Sequence, residues 1–149
     1  MKKMTFEIDI AVSPARVHEL MLGEGTYGQW TAPFDPSSRF EGSWEKGSRI
    51  LFIGNDDKGN TSGMVSRIFD NIPGKFVAIE HLGLVQNGEE ILSGEKVDGF
   101  KGAREDYHFT ATESGTHLKV EMDMSEGWAE FMSTTWPKAL KKLKDICEA

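Results

Sequence analysis

From Glu126 to Ala149 the apolar residues recur at helical spacing, whereas most of the preceding chain alternates in the manner of strands. Trp128, Phe131, Met132, Thr135, Trp136, Ala139, Leu140, Leu143, Ile146 and Cys147 fall on one stripe at offsets of three and four, the signature of an amphipathic helix laid on an apolar surface. One long terminal helix is therefore expected to cover a sheet. Pro137 lies inside it; a proline there removes a backbone hydrogen bond at a cost of ~3 kcal/mol. This predicts either a kink near Thr135 and Trp136 or a shorter helix that begins there.

The rest of the chain reads as a first strand, two short helices and a meander. Thr5 to Val12 places Phe6, Ile8 and Ile10 on one strand face. Ser13 then offers an N-cap oxygen, Pro14 suits the first helical position, and Val17, Leu20 and Met21 repeat helically. Gly23, Gly25 and Gly28 interrupt that pattern, and a second short helix or turn through Tyr27, Gln29 and Trp30 ends before Pro33. Strands are predicted at Arg39 to Trp44, Arg49 to Gly54, Ser62 to Asp70, Lys75 to Val85, Arg104 to Thr112 and His117 to Met124. Short turns such as Glu45-Lys46-Gly47 and Pro73-Gly74 separate most of them, which requires antiparallel neighbours. With the first strand the total is about seven.

One connection stands apart. Gln86 to Gly102 holds four glycines and many acidic residues, with only Ile91, Leu92, Val97 and Phe100 as large apolar groups. Loops of that length serve as lids or remain disordered, and a lid is the reading taken here.

Composition narrows the function. A chain of 149 residues is long enough for one domain with a real core and no disulfide or metal staples. The single cysteine, Cys147, has no partner for an internal disulfide, which points to a reducing cytoplasm. No signal peptide or membrane-length apolar run is evident. The net charge of −7 repels nucleic acid and anionic membranes, so an apolar or cationic small molecule, or a protein, is the expected partner.

Candidate chemistry is sparse. Alternation places Glu105, Tyr107 and Phe109 on one face of their strand, and a carboxylate among aromatic rings is costly to ionise unless paired. His81 or Glu80 from a neighbouring strand could supply the partner. Glu105, His81 and Tyr107 are thus the candidates for acid–base catalysis, although nothing in their spacing demands it, and structural or ligand-orienting roles remain open. His18, His81, His108 and His117 are scattered without ligand spacing, so no metal is expected. No dinucleotide fingerprint, phosphate loop or nucleophile elbow occurs, and no cofactor is expected.

The segments Gly28-Gln29-Trp30-Thr31 with Phe34, Ser38-Arg39-Phe40-Glu41-Gly42-Ser43-Trp44, Glu80-His81-Leu82-Gly83 and Thr135-Trp136-Pro137-Lys138-Ala139-Leu140 sharpen the picture. In this order they resemble the SRPBCC, or START-like, superfamily, in the bacterial branch named for the activator of the ninety-kilodalton heat-shock ATPase. The resemblance spans essentially the whole chain. It implies an α+β helix-grip fold: a curved antiparallel sheet of about seven strands wrapped around the last helix, with a cavity between them. The implied cavity wall comprises Trp30, Phe34, Trp44, Phe52, Trp128, Met132, Trp136 and Leu140, with His81, Glu105 and Tyr107 as its polar groups.

The resemblance is to the C-terminal part of that activator, whose N-terminal chaperone-binding domain has no counterpart in these residues, so chaperone stimulation is not carried over. Phe100 also stands where related sequences tend to have tryptophan. The leading expectation is a non-catalytic binding domain for an apolar or amphipathic small molecule. A protein-interaction or co-chaperone-like module is the alternative, and a cyclase- or dehydratase-type enzyme using Glu105 and His81 is a third.

Overall fold

Ser13 separates the first strand from the first helix as its sequence context predicts. In the computed structural model, which describes residues 1–149, the backbone N–H of Arg16 donates to the Ser13 hydroxyl at 3.4 Å and Pro14 opens the helix. The chain then runs β1 (Lys2–Ile10), α1 (Pro14–Leu22), α2 (Glu24–Trp30), β2 (Arg39–Gly42), β3 (Arg49–Asn55), β4 (Thr61–Ile72) and β5 (Phe76–Gln86). It continues with β6 (Glu89–Ile91), α3 (Glu95–Asp98), β7 (Arg104–Thr112), β8 (Gly115–Met124) and α4 (Glu126–Glu148).

All strand pairs are antiparallel, in the order β1-β8-β7-β5-β4-β3-β2, with β6 added beside β5. α4 packs against β1, α1 and α2. From Thr135 on, its inward stripe is the predicted one, with Thr135, Trp136, Ala139, Leu140, Leu143 and Cys147 buried. Trp128 and Phe131, expected on the same stripe, are exposed because the first turns of α4 run past the core. Against them lie Ile10, Val17, Met21, Trp30, Val77 and Leu118 in one continuous core. A smaller cluster of Ile53, Val65 and Val85 occupies the opposite sheet face, as the two-residue period of a strand requires. This is the helix-grip architecture: an α+β fold with a curved sheet and a long C-terminal helix.

Two irregularities in the β4–β5 pairing bend the sheet. Ile68 pairs with Ile79 but Asp70 with Ala78, so Phe69 is an extra residue on β4. The bulge turns Phe69 outward, where the guanidinium of Arg104 lies 4.5 Å from the centre of its ring. On β5, Val65 pairs with Gly83 but Ser66 with His81, so Leu82 is the extra residue. Such bulges re-aim the side chains beside them, and here the neighbour is His81.

Seven strands form the main path of the sheet, matching the expected number, and β6 beside β5 brings the total to eight. The structure departs from the sequence reading in two places. The strand expected over Arg39 to Trp44 stops at Gly42. Gln86 to Gly102 is not an irregular loop: Asn87 and Gly88, at φ 52° and 78°, form a hairpin turn into β6, and α3 follows with Val97 fully buried. Asn-Gly is the preferred pair for a turn needing two positive φ angles, and an ion pair between Arg49 and Glu90 ties the segment to β3. α4 runs continuously from Glu126 through Pro137 to Glu148, the one long terminal helix that was expected, and not a shorter helix beginning at the proline. No helix is long and apolar enough to cross a membrane.

Candidate functional site

β5 changes partner half-way along its length. Phe76 to Glu80 pair with β7, whereas Leu84 to Gln86 pair with β6. His81 sits at the fork, its backbone N–H donating to Ala103 O at 2.9 Å and its carbonyl accepting from Gly102 N at 2.8 Å. The fork borders a cavity of about 450 Å³ between the inner sheet face and the helices. This volume lies within the range of small-molecule sites, ~300–1,000 Å³.

Aromatic residues form much of the wall: Tyr27 and Trp30 from α2, Phe34 after it, Phe52 from β3, Tyr107 from β7, and Trp128 and Trp136 from α4. Trp30 is fixed by its indole N–H, which donates to Met21 O at 2.9 Å. Its ring lies 5.8 Å from that of Trp136, which also meets Phe34 at 5.1 Å and Tyr107 at 6.3 Å. Methionines 64, 122, 124 and 132 complete much of the remaining surface. Their flexible thioethers let an apolar wall adapt to different shapes.

The polar end is a chain of four side chains from three strands. Ser66 Oγ lies 2.8 Å from His81 Nδ1, His81 Nε2 lies 3.5 Å from Glu105 Oε1, and the Tyr107 hydroxyl donates to Glu105 Oε2. With a carboxylate beside Nε2, the consistent neutral tautomer carries its proton there and accepts from Ser66 at Nδ1. The order serine, histidine, carboxylate has the parts of a nucleophilic triad. Ser66, however, is wholly buried and absent from the cavity wall, so it orients the imidazole instead of attacking a substrate. Glu80, the other candidate partner for Glu105, accepts from Arg67 at 2.9 Å.

Two tyrosines add neutral donors. Burial, followed by the negative charge of Glu105, pushes the hydroxyls of both Tyr27 and Tyr107 well above the ordinary tyrosine range. Both stay protonated near neutral pH. Tyr107 spends its proton on Glu105, while the Tyr27 hydroxyl has no hydrogen-bond partner in the protein.

Of the residues expected at the site, Trp30, Phe34, Phe52, His81, Glu105, Tyr107, Trp128, Met132 and Trp136 line this cavity. Trp44 and Leu140 do not. Trp44 packs behind the wall, against Phe40 and the outer sides of the cavity residues Phe52 and Tyr27, because the chain leaves β2 at Gly42 and turns it towards α2. Leu140 lies one helical turn past Trp136 and is closed into the core at 2% exposure. Tyr27 is the principal residue that sequence reasoning missed; α2 is short and carries glycines at 25 and 28, so no apolar stripe marks its inward face. The remaining histidines are dispersed: His18 meets Asn71, His108 meets Glu121, and His117 lies between Glu7 and Asp9.

No family profile and no curated protein matches the chain. Solved structures do. The Aha1 protein of Colwellia psychrerythraea, described as a dimer in solution, is 19% identical with a TM-score of 0.71, the match covering 99% of this chain and 97% of that one. A Mesorhizobium loti protein is 14% identical with a TM-score of 0.73 over 99% and 97% of the two chains. A Chromobacterium violaceum protein is 13% identical with a TM-score of 0.72 over 100% and 99%. What the chain shares with them is its fold, the α+β helix grip. At such identities the likeness extends to architecture, and function has to be argued from the site.

Proposed function

We propose that the protein is a non-catalytic binding domain that holds an apolar or amphipathic small molecule between its sheet and α4. The observation that carries this reading is the cavity of about 450 Å³, walled by aromatic and methionine side chains and furnished at one end with Glu105, His81 and the Tyr27 hydroxyl. A ligand burying ~300 Å² of apolar surface gains roughly 7 kcal/mol gross. Ordering costs reduce that, so an affinity weaker than about 10 μM is expected from the apolar contact alone. Catalysis is not required by the geometry, since Ser66, the one candidate nucleophile in this chain of polar groups, is inaccessible.

The likeness to the Colwellia Aha1 structure over nearly the whole chain supports placing the protein in the bacterial Aha1-like branch of the superfamily. The lone, buried Cys147, its thiol pushed up to about 11 chiefly by burial, fits a cytoplasmic setting. A second reading, as a protein-interaction module, rests on the start of α4. Trp128 and Phe131 are exposed there, their rings 6.0 Å apart.

Tryptophan fluorescence titration of delipidated protein with ten-carbon alcohols and two-ring aromatics tests the leading reading. Saturable binding is expected, together with its loss in Met132→Trp, which narrows the cavity. Absence of saturable binding, or equal binding by a folded Met132→Trp variant, overturns it.

A further inference from the structure

The charges on the cavity wall are one-sided. Asp35, Glu105 and Asp123 line it, and no lysine or arginine does; the one amino group at the wall is that of exposed Met1. Asp35 accepts from Ser37 N at 2.7 Å and Asp123 from Arg104 N at 3.0 Å. Those hydrogen bonds hold the two carboxylates in place without neutralising them. Glu105 is met by a phenolic hydroxyl and by the imidazole at 3.5 Å, again without a permanent cation.

Around this carboxylate stand aromatic faces. Tyr107 is its neighbour, and Trp136 and Trp30 follow in contact, each almost fully buried. Aromatic faces attract cations, most strongly where water is excluded. An anionic ligand would meet three carboxylates at this wall and no lysine or arginine, and a neutral one would leave their charge unused. Tyr27 is an independent polar contact point: the residue is more than nine-tenths buried, lines the cavity, and its hydroxyl makes no hydrogen bond within the protein.

Building on the small-molecule reading above, we infer that the cavity is selective for apolar molecules ending in a protonated amine, with Glu105 as counter-ion and Tyr27 as a second acceptor. An alkylammonium group has three N–H donors and no acceptor. Glu105 takes one of these donors in a charge-assisted hydrogen bond, the Tyr27 oxygen takes another, and the rings of Trp30 and Trp136 flank the hydrocarbon next to the charge. His81 is held by Ser66 through Nδ1 and meets Glu105 at one oxygen only.

The test compares decylammonium, decan-1-ol and decanoate at submicellar concentrations, using tryptophan fluorescence and chemical shifts of the cavity indoles. Decylammonium is expected to bind at least tenfold more tightly than either of the others. In Glu105→Gln that preference falls to within about threefold while decanol binding persists, which also reports that the variant is folded. Decanol or decanoate binding as tightly as decylammonium to the wild-type protein overturns the inference and leaves the binding reading standing. Binding of none of the three overturns both.

Discussion

The Tyr107 hydroxyl donates to the carboxylate of Glu105, its neighbour two positions back on the same face of β7. Side chains two apart on a strand ordinarily stand side by side without bonding. Here Tyr107 is almost fully buried, and its phenol reaches across to the carboxylate. The pair fixes the orientation of Glu105, which accepts from Tyr107 on one oxygen and faces His81 with the other.

Tyr107→Phe keeps the buried ring but removes that donor. The expected loss is about 1–3 kcal/mol, the usual penalty for leaving one member of a buried polar pair unsatisfied. Glu105→Gln alone and the double variant complete a cycle in urea denaturation, and a coupling above ~0.5 kcal/mol is expected for groups in direct contact. Additive effects would contradict the contact.

Ser66→Ala removes the partner of His81 Nδ1 at a fully buried position. A loss of about 1 kcal/mol is expected, together with a shift in the imidazole tautomer balance read from its ring nitrogen resonances. An unchanged tautomer balance would mean that Glu105 alone orients His81.

Gly63 lies on β4 at the cavity wall, where a Cβ would overlap the Phe52 carbonyl oxygen and come within 2.8 Å of the Ile53 Cα. Both obstacles are backbone, so β3 and β4 must separate to admit a methyl group. Gly63→Ala is expected to cost about 2 kcal/mol or more, seen as a lower thermal midpoint. A midpoint equal to wild type would show that the two strands part freely.

His117 joins β8 to β1 through Glu7 at 2.9 Å and Asp9 at 2.8 Å, and the hydrogen bonds to Glu7 and then Asp9 raise its pKa above the ordinary value. A raised folded-state pKa means that the protonated form favours the folded protein. Its stabilisation is fully present below the unfolded value of about 6.5 and is lost as pH rises through the folded value. Wild-type protein should therefore lose more stability than His117→Gln between pH 6 and pH 8.5 in parallel denaturation series. Parallel curves would contradict the linkage.

The gripping helix was legible in the sequence because its burial is one-sided: Thr135, Trp136, Ala139, Leu140 and Leu143 repeat at the spacing that a helix on a sheet requires. Inward Glu105 was legible for a similar reason, since Tyr107 and Phe109 share its parity on β7 and are buried. Its bond to Tyr107 was not legible, because alternation fixes which face a side chain takes and not where its tip goes. Ser66 was hidden by the Leu82 bulge, which sets His81 opposite it and breaks the simple count along β5. The Gln86 to Gly102 segment was misread for a different cause. Its Asn87-Gly88 pair carries a hairpin signal, but the three-residue β6 is too short to show alternation.

The most direct test of the binding cavity follows the four indole N–H resonances of isotope-labelled protein through a titration with decylammonium. Trp30, Trp128 and Trp136 line the cavity and Trp44 does not. Saturable shifts are predicted at the first three, largest at Trp136, with Trp44 nearly still. Four unmoved indoles, or movement confined to Trp44, would contradict the account.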